Sequence, residues 1–223
     1  MRLNKYIARA GICSRRAADE LIKEGLIIIN GQVSTDLSYQ VSETDKVEYN
    51  QKILTIKKAS LYAFHKPKNC LTTKFDPEGR TIIYDLLPKE LENYSPIGRL
   101  DYNSEGLLLL TNDGELKRYY ELPKNKILRT YKVRIFGKLL DSDKKQIESG
   151  ITIDGIKYQK LKLKITQIAT NSWLEISLSE GKNREIRNIF TYFDHPVSRL
   201  IRISFGKFKL GNLAPGQIKE LDI

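Results

Sequence analysis

Cysteine, histidine and tryptophan are scarce in this chain of 223 residues, which holds two Cys, two His and one Trp. Cys13 and Cys70 cannot build a disulfide framework, and that scarcity suits a reducing compartment, so a cytoplasmic protein is expected. His65 and His195 stand without paired Cys, His or carboxylate at metal-ligand spacing, so no metal site is expected. No G-x-x-x-x-G-K-[ST] or G-x-G-x-x-G stretch offers a phosphate cradle, so no nucleotide cofactor is expected either. No apolar run approaches the roughly 18–20 residues of a membrane span. The opening MRLNKYIARAG also lacks the apolar stretch and cleavage site of a signal peptide.

Positive charge, by contrast, is abundant. Lys and Arg exceed Asp and Glu by 38 to 27, a formal net charge of +11. Such a field favours polyanions, nucleic acid ahead of anionic membrane. With 40% hydrophobic and 29% charged residues, the chain can bury one sizeable core, or join a small domain to a larger one.

The basic residues crowd the front. LNKYIARAG reads as a short helix closed by Gly11, and CSRRAADELIKEG restarts at Ser14 as N-cap and stops at Gly25. Ala17, Ala18, Leu21 and Ile22 share one face of this second helix. LIIINGQVST follows as strand, Asn-Gly turn and strand. Residues 1–58 thus form a helix pair with a small sheet, and 59–61 a short linker. Arg2, Lys5, Arg9, Arg15, Arg16 and Lys23 all lie in the first 25 residues. A charge run is usually only a solvated face, yet this helix pair is too small to need six cations for stability. RLNKYIARAGICSRRAADELIKEGLIIINGQV resembles the αL RNA-binding module, and the resemblance implies that these six grip RNA backbone.

From 62 to 223 strands dominate. TYKVRIFGKL and ITIDGIKYQKLKLKI alternate apolar and polar residues, as half-buried antiparallel strands do, with Asp154-Gly155 as a tight turn. NREIRNIFTYF switches to helical spacing through Ile186, Ile189, Phe190 and Phe193, and places Arg184 and Arg187 as neighbours. SRLIRISFGKFKLG returns to strand. The expected class is α+β, on a mostly antiparallel mixed sheet flanked by helices.

Within PIGRLDYNSEGLLLLTNDGEL, Asp101 precedes the run Leu107–Leu110, which must be buried. Asp and Gly106 have a plain reading as turn formers. The other reading is a nucleophile held by a rigid strand. Arg99 and Glu105 beside it are expected to be exposed. No His, Ser or second carboxylate lies nearby at acid–base spacing, which argues against a triad or glycosidase pair.

GRLDYNSEGLLLLTNDG resembles the signature of pseudouridine synthases of the RsuA/RluB family. KILRTYKVRI resembles the second motif, whose tyrosine falls on Tyr131. EGKNREIRNIF resembles the third, whose basic partner of the aspartate falls on Arg187. VSRLIRISFGKFKLGNLAPGQIKEL resembles the C-terminal element and places an aliphatic residue at Leu200. The resemblance spans essentially the whole chain and implies a monomeric, cofactor-free isomerase acting on ribosomal RNA. The large-subunit RNA is the first expectation and the small-subunit RNA the alternative. A non-catalytic RNA-binding or ribosome-assembly factor with the same fold is the rival from another class. Implied roles follow. Asp101 opens the reaction in a largely dry pocket, by attack on the ribose or by assisting loss of its 2′ proton. Arg187 keeps it ionised, Tyr131 stacks on uracil, and Leu200 excludes water. Arg99 fills the stack vacated by a flipped base. Lys66, Arg118, Lys182, Arg184, Arg199 and Arg202 contact phosphate.

Overall fold

The computed structural model describes the backbone of residues 1–223 and every side chain except that of Ile168. Its N-terminal unit packs α1 (Leu3–Arg9) and α2 (Arg15–Lys23) on a four-stranded antiparallel sheet. The strands are β1 (Ile27–Ile29), β2 (Gln32–Val33), β3 (Val47–Tyr49) and β4 (Lys52–Ile53), in the order β2-β1-β3-β4. Ser14 caps α2, its side chain accepting a bond from the Ala17 amide at 3.2 Å. Asn30 and Gly31 both take positive φ, 52° and 83°, as the hairpin between β1 and β2 requires. Leu3, Ile7, Ala18, Ile22 and Ile27 are fully buried between helices and sheet. Ala17 is exposed, contrary to the apolar face read for α2. Adjacent helical residues point roughly 100° apart, so burying Ala18 and Ile22 turns Ala17 outward.

The larger unit begins with β5 (Leu61–Lys66), β6 (Ser95–Ile97), β7 (Glu105–Thr111), α3 (Gly114–Glu121) and β8 (Arg129–Phe136). It continues through α4 (Asp141–Ser149), β9 (Ile151–Ile153), β10 (Ile156–Tyr158), β11 (Lys162–Ile168), β12 (Asn171–Leu178) and α5 (Glu185–Tyr192). It ends with β13 (Val197–Phe205), β14 (Phe208–Lys209) and β15 (Ile218–Leu221). Nine of these strands form one sheet on the path β11-β12-β8-β13-β7-β5-β15, with β6 added on β7 and β14 on β13. β9 and β10 make a separate hairpin through Asp154 and Gly155. This is the α+β architecture expected, and every pairing in the large sheet is antiparallel except β7 with β13.

That parallel junction positions the site. All four leucines of β7 are fully buried. Leu107 and Leu109 pack with Leu61, Ile97 and Phe205, while Leu108 and Leu110 pack with Phe64, Ile83 and Leu100 on the other face. A strand buried on both faces reads as a continuous apolar run. At its start, Gly106 stands opposite Arg202 of β13 on one side and Lys66 of β5 on the other. Its φ is +108°, and a Cβ there would lie 2.4 Å from the Arg202 carbonyl oxygen and 2.6 Å from its nitrogen. Gly106 is therefore a close-approach residue rather than a loose turn.

Candidate active site

Asp101 sits on the loop between β6 and β7, which is tied down from below. Leu100 is buried, and its backbone exchanges two hydrogen bonds with the Thr72 hydroxyl at 2.9 and 3.3 Å. The Ser104 amide donates to the Asp101 carbonyl at 3.0 Å. Beneath them the Lys66 ammonium, wholly buried, donates to the carbonyls of Pro67, Asp101 and Ser104 at 2.9, 3.1 and 2.8 Å. Burial pulls Lys66 down to about 8. The Asp101 carboxylate, 38% exposed, is thus carried on a fixed backbone into a cleft.

The cleft holds about 220 Å³ and is lined by Asp101, Tyr131, Arg187 and Leu200 together, four residues drawn from the loop, β8, α5 and β13. That is below the ~300–1,000 Å³ of drug-sized sites and suits a single nucleoside. Tyr131 is half-buried and faces Arg202 across the β8–β13 ladder. Leu200 is buried with Val133 and Ile186. Arg99, Arg129, Lys182, Arg184, Arg187 and Arg202 also line the cleft, against Asp101 and Glu185. Six cations thus line the cleft against two acids, and the exposed ones, Arg99, Lys182 and Arg184, make its opening attractive to phosphate. Among the described residues, no group of three or more His, Cys, Asp or Glu side chains could hold a metal ion.

The sequence pattern of the RNA pseudouridylate synthase family matches residues 60–192, and that of the S4 domain matches residues 1–56. The chain belongs to the RNA pseudouridylate synthase family. It is 46% identical to an RNA pseudouridine synthase of Rickettsia felis, over 99% of this chain and 96% of that one. It is 34% identical to the ribosomal large subunit pseudouridine synthase B of Bacillus subtilis, over 99% of this chain and 91% of that one. A crystal structure of a pseudouridylate synthase superposes with a TM-score of 0.71 at 26% identity, covering 100% of this chain and 96% of that one. The synthase is an RNA-binding isomerase that converts uridine to pseudouridine.

Several residue assignments change on seeing the synthase folded. Arg187 is not the direct ion partner of Asp101. Its guanidinium donates to the Val197 carbonyl at 3.1 Å, the Asn103 carbonyl at 3.1 Å and the Ser104 hydroxyl at 3.4 Å. It bridges the Asp101 loop to β13, and its charge acts on Asp101 from that position. Burial, then the neighbouring Arg184, pull Arg187 below the usual arginine range, while Asp101 opposes them. The cation nearest the carboxylate is Arg184, whose Nη1 lies 3.9 Å from Asp101 Oδ2. Arg184 reaches there because it takes a left-handed conformation, φ 49°, just before α5. The cleft is also open rather than dry, since Asp101 and Arg184 both remain partly exposed.

Lys66 and Arg202 are too deeply buried to meet phosphate from outside. Both lie on strands flanking Gly106, where the sheet encloses them. Arg202 is 2% exposed, donates from Nε to the Leu107 carbonyl at 2.7 Å and lies over the Phe205 ring. Glu105 is buried, not exposed, because Arg199 covers it with two bonds of 2.7 and 3.2 Å. That pairing holds Arg199 to the protein. Arg99, Lys182 and Arg184 are exposed at the cleft rim, as a phosphate contact needs.

In the N-terminal unit, Lys5 meets Glu115 at 2.5 Å and Arg9 meets Asp113 at 3.3 Å, so both dock the unit onto the N-terminus of α3. Arg2 donates to the Leu37 carbonyl at 3.2 Å, and Lys23 pairs with Glu20 at 2.9 Å. Arg15 and Arg16 are exposed, and Arg15 shares a second cleft of about 330 Å³ with Lys5, Arg9, Lys74 and Arg118. Arg118 thus belongs to the junction between the units, away from Asp101. Sequence reasoning missed Arg129. Its guanidinium lies over Phe205 and holds the carbonyls of Tyr120, Ser179 and Glu180 at 3.4, 3.2 and 3.5 Å. The signal was there, since Arg129 and Tyr131 are two apart on one strand and so share a face.

Proposed function

We propose that the synthase acts on large-subunit ribosomal RNA in the cytoplasm, as a monomer, with Asp101 as its reacting group. One observation carries the catalytic part: a lone, partly exposed carboxylate on a clamped loop, opening into a nucleoside-sized cleft with Tyr131, Leu200 and Arg187. Support for the RNA comes from the Bacillus subtilis relative and from a Yersinia pestis large-subunit pseudouridine synthase B, 36% identical over 100% of this chain.

In the isomerisation the C1′–N1 bond of uridine breaks and a C1′–C5 bond forms, while C5 loses its proton and N1 gains one. Nothing is oxidised or added. Asp101 starts it, at C1′ or at the 2′ proton. A flipped base costs a few kcal/mol, and the cations at the rim return part of that through phosphate contacts while Arg99 occupies the vacated stack. Tyr131 lies against the uracil face, near the C5 proton that leaves. Leu200 packs below and excludes water when the base enters. Arg187 and Arg184 favour the ionised acid. Arg15 and Arg16, with the junction cleft, grip RNA backbone outside the site.

The test is tritium release from 5-tritiated uridine in large- and small-subunit RNA fragments. Release from the large-subunit fragment alone agrees with the proposal; release only from the small-subunit fragment overturns the choice of RNA.

A further inference from the structure

The segment between β12 and α5 forms one wall of the cleft through Gly181, Lys182, Asn183 and Arg184. It carries the cation nearest Asp101, so whatever fixes this segment also fixes Arg184. Two carboxyl groups do much of the fixing. Glu185, first residue of α5 and 4% exposed, accepts the Lys182 amide at 3.0 Å and returns its own amide to the Lys182 carbonyl at 3.3 Å. Glu180 accepts the Gln159 amide at 2.7 Å and pairs with the Lys182 ammonium at 3.1 Å. That ammonium also donates to the Lys157 carbonyl.

Both acids hold the one residue Lys182, Glu185 by its amide and Glu180 by its ammonium, and Glu185 Oε1 is buried with no hydrogen-bond partner. A carboxylate oxygen enclosed beside a second carboxylate is costly, and a proton between them removes the cost. The charged groups facing the pair are Lys182 of the same segment and Arg129 of β8, while Tyr158 of β10 lies against the Lys182 ammonium. Of these, Lys182 bonds Glu180, while Arg129 spends its donors on backbone carbonyls. Neither cation therefore bonds Glu185 Oε1.

We propose that Glu180 and Glu185 share one proton, and that this pair is a positioning device that holds the cleft wall so that Arg184 faces Asp101. Burial, then the Glu180 charge, push Glu185 up to about 7. Burial works to raise Glu180 too, but the Gln159 amide and the Lys182 ammonium outweigh it and keep that acid low. Two neighbouring acids whose surroundings drive them apart in this way have assigned donor and acceptor roles. Glu185 is the donor and Glu180 the acceptor. Above pH 7 the proton leaves, the buried Glu185 carboxylate and the half-buried Glu180 carboxylate oppose each other, and the segment loosens. RNA phosphate arriving at Lys182 and Arg184 adds negative charge beside the pair and draws the proton back. RNA binding above pH 7 is then linked to proton uptake, and the pH effect falls on kcat/KM, which reports free enzyme, more than on kcat.

The inference rests on the proposed use of Arg184 and Asp101 at this cleft, but its first test does not. In full-length synthase carrying 13C at the glutamate carboxyls, one resonance titrates near pH 7. None between pH 6 and 8 overturns the shared proton, whatever the activity. The second test compares kcat/KM of the parent, Glu185→Gln and Glu185→Ala at pH 6 and 8 on one RNA fragment, after melting curves show each folded. The parent falls about tenfold, because a group of pKa near 7 goes from about nine-tenths to one-tenth protonated. Gln keeps a neutral donor and loses most of that fall; Ala is low at both values. A fall in Glu185→Gln equal to the parent's overturns the positioning role even if the 13C titration is seen.

Discussion

Gly106→Ala is the substitution whose cost the structure states most directly. The new Cβ meets backbone atoms of Arg202 at 2.4, 2.6 and 3.0 Å, none of which can swing aside as a side-chain tip would. The φ of +108° adds strain for any L side chain, about 1–3 kcal/mol. Overpacking a tight core adds about 1–3 kcal/mol more. A loss of roughly 2–6 kcal/mol is large beside a total stability of ~5–15 kcal/mol. At about 2–4 °C per kcal/mol for a domain of this size, the melting temperature falls by roughly 4–24 °C. Gly155→Ala is the control, because that glycine also has positive φ, +77°, but nothing within 4 Å of its Cβ. The assay is thermal melting followed at the single tryptophan, Trp173 of β12, with tritium release measured well below the transition. Activity drops as well, since separating β13 from β7 moves Leu200 away from the Asp101 loop. If Gly106→Ala melts like Gly155→Ala and keeps its rate, the close approach is not what joins the two halves of the site.

Lys66→Met removes the clamp under Asp101 and is expected to lower kcat by about a hundredfold, the scale of a 1 Å misplacement. Because burial holds Lys66 at about 8 against an ordinary 10.5, the folded chain binds fewer protons than the unfolded one between those values. The parent therefore gains stability over Lys66→Met as pH rises from 8 to 10.5, by about 3 kcal/mol; a gap in urea unfolding that narrows instead contradicts this. Arg187→Met should lose about a hundredfold in kcat. Arg187→Lys should lose less, because its ammonium keeps the charge, but still some, because it cannot span the Asn103 and Val197 carbonyls as the fork does; equal rates for Met and parent would return Arg187 to an ordinary helix arginine. Replacing Arg15 and Arg16 by Gln should make the slope of log K against log salt shallower by roughly 1.5, and an unchanged slope in fluorescence titrations rejects the N-terminal grip.

Much of this architecture was legible in the residues because local rules decide it. The turns at Asn30-Gly31 and Asp154-Gly155, the cap at Ser14 and the buried run Leu107–Leu110 each follow from spacing or backbone preference. Tyr131, Arg187 and Leu200 came from motif resemblance, and no spacing rule joins them to Asp101 across β8, α5 and β13. What stayed hidden depends on partners distant in sequence. Glu105 looks like a surface acid until Arg199, 94 residues later, covers it. Lys66 and Arg202 look like phosphate contacts until the β5-β7-β13 order encloses them on either side of Gly106. Arg184 displaced Arg187 as the near cation through a single left-handed backbone angle, which side-chain periodicity does not report.

Asp101→Asn tests the central claim most directly. The amide fills the same space and can stay in the same loop, but it is neither a nucleophile nor a base. Purified variant and parent are compared for tritium release from 5-tritiated uridine in large-subunit RNA, with melting temperature and RNA affinity measured on the same preparations. The account predicts no release above background, with melting and binding close to the parent's. Measurable isomerisation by the folded, RNA-bound variant would contradict it.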